Sequence, residues 1–195
     1  PMGEVPFDAN LADFIDDGDL GLIASDLIGE FEDDKSSRSE WENAYVKGLD
    51  LLGFKYEERD RPFPGASGVT HPLLAESVTQ FQAQAFKELL PPKGPVKTRV
   101  LGNETPDIEE QARRVQEFMN YQITTIMEEY TPEMDQLLFY LPLAGTAFKK
   151  VYYDASKQRA VSSFVPVEDL VVPYTASDLA TCERVTHIVK MTHNE

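Results

Sequence analysis

Apolar residues recur at the 3.6-residue spacing of a helix in the first half of the chain. Ser37 and Glu40 form a capping box, and Gly53 stands where a helix commonly ends. The pattern predicts a helix of about four turns between them. Its apolar face consists of Trp41, Tyr45, Gly48, Leu49 and Leu52. Trp41 is large enough to serve either in the core or in a contact between subunits.

A second helix is predicted after a proline- and glycine-rich loop over residues 54–70. Pro72 takes a first helical position behind Thr70 as candidate cap, and Pro91–Pro92 stops the helix. One face carries Leu74, Val78, Phe81, Ala85 and Leu89. Three glutamines, Gln80, Gln82 and Gln84, lie away from that face. They form an uncharged polar surface that either packs beside another subunit or is solvated.

Two further helices begin at threonine–proline pairs. The pair at 105–106 starts the longest one, which runs to about Tyr130. Its predicted buried stripe is Ile108, Ala112, Val115, Met119, Ile123, Ile126 and Tyr130. The pair at 131–132 opens a helix that runs to about Gly145, in which Pro142 should introduce a kink or an early end.

The apolar period then changes from helical to two. Phe148–Tyr153 and Arg159–Val165, joined by a polar turn, form a predicted β-hairpin. Short strands are also predicted at 97–101 and 184–192. Several amphipathic helices followed by a hairpin and a further strand predict an α+β fold. Because the last predicted strand has no closing element, we expect the natural chain to continue beyond Glu195.

The formal net charge of −16 is concentrated at the N-terminus. Residues 1–34 contain eleven Asp and Glu and no Lys or Arg, so the other 161 residues carry only −5. This composition predicts an acidic flexible arm with one or two short amphipathic turns, or else a docking segment that orders on a neighbouring subunit. Residues 35–195 are the predicted α+β domain. The charge argues against tight nucleic-acid binding, which needs a basic stripe.

The residues that carry chemistry are few. The single cysteine, Cys182, excludes an internal disulfide and a CxxC zinc site. Cys182, His187 and His193 are close in sequence, but no pattern of supporting residues accompanies them. Glu168–Asp169 is expected to accept hydrogen bonds in a turn. No phosphate loop, dinucleotide fingerprint or kinase motif occurs, and no run of eighteen apolar residues would span a membrane. We therefore expect no enzymatic activity, no cofactor, no metal and no membrane contact.

Four segments together resemble the N-terminal part of portal proteins of tailed bacteriophages, particularly the short-tailed ones. They are Ser39–Tyr45 with Gly48, the loop Pro64–Pro72 and its helix, Ala144–Tyr153, and Val165–Pro173. In portal-like sequences a Gly-Thr break and an aliphatic strand follow a helix, and a Pro-x-Glu-Asp loop follows the hairpin. The residues matching these features are Gly145, Thr146, Pro166, Asp169 and Pro173. The resemblance covers about residues 37–192 and corresponds to the wing; the stem, clip and crown of portals have no counterpart here.

The resemblance implies a structural function. Portal subunits form a homo-oligomeric ring, usually of twelve, at one capsid vertex, and are assembled in the host cytoplasm. Double-stranded DNA passes through the ring during packaging and ejection, and the terminase large subunit, capsid and head–tail adaptor proteins attach to it. Trp41, Tyr45, Gln80 and Gln84 are the candidate subunit-interface residues. The alternatives are a head-to-tail adaptor or other virion structural protein, and an enzyme whose site is unrecognised.

Overall fold

The computed structural model describes residues 9–53, 55, 63–66, 68 and 71–192, apart from the side chain of Leu11. Over these residues five α-helices precede an antiparallel hairpin and two short strands, so the predicted α+β class is confirmed. The chain divides into two compact units, residues 1–42 with 171–195, and residues 43–170. In the first unit, hydrogen bonds from Arg184 to Asp34 join the N-terminal helix to the segment after residue 171.

The acidic N-terminal segment is helical. A 3-10 turn over Leu11–Phe14 precedes helix α1, which spans Asp17–Ser37. Asp16 caps α1, because its Oδ1 accepts hydrogen bonds from the backbone N–H groups of Gly18 at 2.9 Å and Asp19 at 3.1 Å. Acidic side chains in the first turn also suit the positive end of the helix dipole. Over residues 17–34 the predicted flexible arm is therefore one continuous helix.

Helix α2 spans Ser39–Leu52 and follows α1 after a break at Arg38. Ser37 does not cap it as predicted, because Ser37 is the last residue of α1. Its hydroxyl donates to the carbonyl of Asp34 at 2.6 Å and accepts a hydrogen bond from the backbone N–H of Tyr174 at 3.2 Å. A local capping pattern was thus overridden by contacts that Ser37 makes within its own unit.

Unit 1, residues 1–42 with 171–195, is held together by an ion pair. Asp34 is only 4% exposed, and its carboxylate accepts two hydrogen bonds from the Arg184 guanidinium, at 2.9 and 3.0 Å. Glu30 lies 3.6 Å from the same guanidinium. The Asp34 carboxylate raises the pKa of Arg184 above its ordinary value. This pair connects α1 to the C-terminal segment of the unit.

Removing the Asp34 carboxylate should loosen unit 1. We expect Asp34→Ala to lower the free energy of unfolding by about 1–2 kcal/mol, because two charge-assisted hydrogen bonds are lost while the part-exposed guanidinium becomes hydrated. Amide hydrogen exchange over residues 184–188 should accelerate in parallel. Asp33→Ala, which alters an exposed neighbour on the same helix, is the control. Equal exchange rates in the two variants would contradict this account.

The remaining helices belong to unit 2, residues 43–170. Helix α3 spans Leu73–Leu89, α4 spans Pro106–Tyr121 and α5 spans Tyr130–Ala144. The predicted single helix from 106 to 130 is interrupted. A π-helical stretch over Gln122–Ile126 follows α4, and Met127 leaves the helical region with φ −88° and ψ 78°. The N–H of Met127 donates to the carbonyl of Gln122 at 2.8 Å, which closes the π turn.

Helix α3 packs along α5, and the core of unit 2 lies at this contact. Val78 on α3 and Leu138 on α5 are each 2% exposed. Gln82 also faces α5, where its Nε2 donates to Asp135 Oδ1 at 2.8 Å. The predicted outward position of Gln82 is therefore wrong, although Gln80 and Gln84 are exposed. Residue 72 directly precedes α3, and the predicted cap at residue 70 lies outside the described residues.

The predicted hairpin is confirmed. Strand β1, Phe148–Asp154, pairs antiparallel with β2, Arg159–Val165, from Phe148↔Val165 to Asp154↔Arg159. In the turn, Asp154 Oδ1 accepts hydrogen bonds from the backbone N–H of Ser156 at 2.9 Å and from its hydroxyl at 2.5 Å. Two short strands, β3 (Leu170–Val171) and β4 (Thr186–His187), form a second sheet. The strand predicted over 184–192 is thus reduced to two residues.

Residues 97–101 lie along α4 and join no sheet, so the strand predicted there is wrong. The Asn120 carboxamide accepts from the N–H of Val96 at 2.9 Å and donates to its carbonyl at 3.1 Å. The N–H of Thr98 donates to Gln116 Oε1 at 3.1 Å. Side chains of α4 thus satisfy the backbone groups that a neighbouring strand would otherwise satisfy.

Candidate functional site

The helix-to-hairpin corner is built around Gly145. Its φ of 81° places it in the left-handed region, and its N–H donates to the carbonyl of Leu141 at 2.9 Å. This is the usual glycine ending of a helix. Helix α5 continues past Pro142 to Ala144, so the proline does not end it early. The exposed Thr146 then leads into β1.

Two carboxylates of α5 and its N-cap cover the outer edge of β2. Glu133 Oε2 accepts from the N–H of Phe164 at 2.6 Å, and Glu129 Oε1 accepts from the N–H of Ser162 at 3.4 Å. Glu129 and Glu133 are four residues apart, about 6 Å along the helix axis. Ser162 and Phe164 are two residues apart, about 7 Å along the strand, so the two spacings are similar. These side chains therefore take the place of a third strand and protect the edge.

Arg159 completes this junction. Its guanidinium contacts both oxygens of the Glu129 carboxylate at 2.8 Å, a two-pronged ion pair. The hydrogen bond from Arg159 is the main reason that the pKa of Glu129 falls from 4.5 to about 2; burial opposes this change, and the N–H of Ser162 adds to it. Glu129 is consequently ionised at every physiological pH.

Lys149 of β1 lies on the same side of the hairpin. Its ammonium is 3.8 Å from the centroid of the Tyr130 ring, a cation–π contact. Burial lowers the pKa of Lys149, while the carboxylates of Glu133 and Glu129 oppose this effect. Phe164 stacks on Tyr140 with 5.7 Å between ring centroids. Such contacts are those of a packed structural junction.

The loop after the hairpin is also structural. The carbonyl of Pro166 accepts from the N–H of Asp169 at 3.0 Å, which forms the 3-10 turn Val167–Asp169. The predicted turn is therefore present, and the Glu168 carboxylate interacts with the Tyr45 side chain. Burial is the main cause that raises the pKa of the Tyr45 phenol, and the Glu168 carboxylate adds to it.

Two of the four candidate interface residues lie clearly at the surface. Gln80 and Gln84 are exposed on α3. Trp41 is half-buried, with the Arg38 guanidinium 5.6 Å from its ring centroid. Tyr45 is only 7% exposed and belongs to the buried core. The last motif residue, Pro173, is half-buried, and its carbonyl accepts from the N–H of Ala176 at 2.9 Å.

Helix α4 presents a stripe of apolar side chains to solvent, although most of it was predicted to be buried. We call Ile108, Val115, Phe118 and Met119 the α4 stripe; all four are exposed, Val115 by 53% and Phe118 by 59%. The face that is covered instead carries Gln116 and Asn120, which hydrogen-bond residues 96–98. Adjacent large apolar side chains at a surface form a candidate interaction surface.

Strand β1 offers a second surface. In an antiparallel sheet, two directly opposite residues that do not hydrogen-bond each other both turn their backbone N–H groups away from the partner strand. Because Ser162 and Phe164 of β2 turn their N–H groups to the two glutamates, their partners Val151 and Lys149 turn theirs to the opposite edge. No strand pairs with this edge in the described part of the chain, and the side chains of Val151 and Tyr153 are exposed.

The structure describes some, but not all, of the residues that were considered for metal binding. The thiol of Cys182 donates to the carbonyl of Arg184 at 2.7 Å, and His193 lies outside the described residues. Among residues 9–53, 55, 63–66, 68 and 71–192, no group of three or more His, Cys, Asp or Glu could hold a metal ion. Within the same residues, no helix has both the length and the apolar character needed to cross a bilayer.

No protein-family model matches this chain, and no curated protein matches it. The resemblance to portal proteins therefore rests on the four segments of the sequence. The structure gives their central residues, Gly145, Pro166 and Asp169, backbone positions in a corner and a turn. In the described part of the chain, α4 and β1 each carry exposed apolar side chains.

Proposed function

We propose that this chain is the N-terminal, wing-like portion of a bacteriophage portal subunit. Copies of it assemble into a ring at one capsid vertex, through which double-stranded DNA is packaged and ejected. The terminase large subunit, capsid and head–tail adaptor proteins attach to that ring in the virion. The observation that carries the proposal is the exposed α4 stripe together with the open edge of β1.

Two unlike apolar surfaces on one chain suit a ring. A ring forms when one surface of each copy meets a different surface of the next, a heterologous contact. A two-fold dimer would instead need one self-complementary surface. Burying large residues such as Phe118 and Tyr153, both exposed in the single chain, would provide the apolar centre that such contacts contain.

The charge supports a channel through which DNA slides. Each Lys or Arg contact to a phosphate strengthens binding through counterion release and must be broken as the duplex advances. With a net charge of −16, the chain repels the duplex on average. DNA therefore passes this ring without tight or specific binding.

Sedimentation and negative-stain imaging of the 195-residue chain test the proposal. We expect a ring with a central channel, and for twelve subunits a mass twelve times the 22.0 kDa of one chain. A chain that stays monomeric at all concentrations would contradict ring formation. Reading the gene beyond Glu195 tests the alternative of a head-to-tail adaptor: several hundred further residues with paired long helices support a portal, and an early stop codon supports an adaptor.

A further inference from the structure

Helix α1 carries an apolar stripe of its own that is largely exposed. We call Leu20, Ile23, Leu27, Ile28 and Phe31 the α1 stripe; they recur every one to four residues along one face, and Leu27 is 60% exposed. Leu20 and Phe31, at the two ends, are half-buried. The rest of the helix is strongly acidic, with seven Asp and Glu against one Lys. A surface helix normally buries such a stripe, yet within the described residues the middle of this one stays open to solvent.

The α4 stripe has the complementary chemistry. Arg114 lies beside Phe118 on α4, and Lys97 and Arg99 lie on the segment that runs along the helix; all three are exposed. Thr98, between the last two, donates its hydroxyl to the carbonyl of Ala112 at 3.0 Å, so these cations are level with the middle of the stripe. Acidic residues of α4 lie mostly in its first turns, and Glu117 pairs with Arg113 at 2.9 Å.

We infer that α1 of one copy lies along α4 of a second copy. From Leu20 to Phe31, and from Ile108 to Met119, each stripe runs eleven residue steps, about 17 Å at 1.5 Å per residue. The contact buries both stripes and sets the acidic flanks of α1 beside these three cations. It is heterologous, because α1 and α4 present different surfaces. This inference rests on the proposed ring and names one contact that builds it.

Disulfide cross-linking between two single-cysteine variants tests the contact. In a Cys182→Ser background, Leu27→Cys is placed on one chain and Phe118→Cys on the other. Mild oxidation of an equimolar mixture should give a covalent dimer of twice 22.0 kDa. Leu22→Cys replaces Leu27→Cys in the control mixture. Leu22 is similarly exposed but lies about 140° around α1 from Leu27, so the control should give at least about fivefold less dimer.

A second measurement separates failure of the contact from failure of the ring. Leu27→Glu should weaken self-association at least about tenfold by sedimentation, and Leu22→Glu should leave it unchanged. If a ring forms but neither cross-linking nor association depends on Leu27, the α1–α4 contact is overturned and the ring proposal stands. A wild-type monomer would overturn both proposals.

A third variant distinguishes contact between copies from contact within one copy. It carries Leu27→Cys and Phe118→Cys together on a single chain, again in the Cys182→Ser background. We expect its disulfides to join different chains, so that dilution before oxidation suppresses them. An internal disulfide that forms equally well on dilution would place α1 against α4 of its own chain and overturn the proposed contact.

Discussion

Replacing Glu129 with glutamine should remove about 2–3 kcal/mol of unfolding free energy at pH 7 and almost none at pH 2. The Glu129 carboxyl has a pKa of about 2 in the folded chain, held there by Arg159, against 4.5 ordinarily. At 1.36 kcal/mol per pKa unit this difference corresponds to about 3 kcal/mol, which solvent screening of the part-exposed ion pair reduces. Because the folded pKa is the lower one, the stability is present above pH 4.5 and is lost as the pH falls towards 2.

Urea unfolding between pH 7 and pH 2 measures this effect as the difference between wild type and Glu129→Gln. The two curves should converge as the pH falls from about 4.5 to about 2, because both proteins then carry an uncharged side chain. Glu128→Gln removes a carboxylate from the neighbouring residue, and its difference from wild type should be small at every pH. Parallel curves for wild type and Glu129→Gln would show that Arg159 does not hold the carboxyl as described.

Replacing Gly94 with alanine should cost about 2–4 kcal/mol of unfolding free energy. Gly94 has a φ of 92°, a region that costs other residues about 1–2 kcal/mol. A Cβ at this position would also collide with the Asn120 carboxamide. That carboxamide makes two hydrogen bonds to the backbone of Val96, each worth about 1 kcal/mol. Alanine would therefore strain the turn and detach Val96 from Asn120 of α4.

Gly102→Ala separates the strain of the backbone from the collision with Asn120. Gly102 has a similar φ of 103°, but a Cβ there would have no heavy atom within 4 Å. Its substitution should therefore lower the free energy of unfolding only through the strained backbone conformation, by about 1–2 kcal/mol. Urea denaturation of both variants gives the comparison. Equal losses would show that the contact with Asn120 contributes nothing.

The corner residues that carry the resemblance to portals have structural positions. Gly145 ends α5 in a left-handed conformation, and Pro166 accepts the hydrogen bond that forms the next turn. Between them, Glu129 and Glu133 close the outer edge of β2 and leave β1 as the open side of the hairpin. A junction of this kind fixes β1 as an exposed edge, which the proposed ring would use for contact with a neighbouring subunit.

Much of the fold could be predicted, because the signals for it are local. The alternating pattern over 148–165 and the polar turn within it specify a hairpin without reference to distant residues. Gly145 after an apolar helix and the threonine–proline pair at 105–106 mark helix ends in the same way. The extended segment at 97–101 was misassigned because an extended backbone can be satisfied by a strand or by side chains, and the sequence does not distinguish the two.

The sequence by itself determined that helices precede a hairpin, that the N-terminus is acidic and which segments resemble a portal wing. The tertiary structure alone decided which face of each amphipathic helix is covered. Apolar periodicity shows that a helix has a preferred face, but the group that covers a face comes from elsewhere in the chain. Residues 96–98 cover the polar face of α4 through Gln116 and Asn120, and the α4 stripe is left exposed. Such a choice depends on backbone hydrogen bonds between distant segments, which no local pattern encodes.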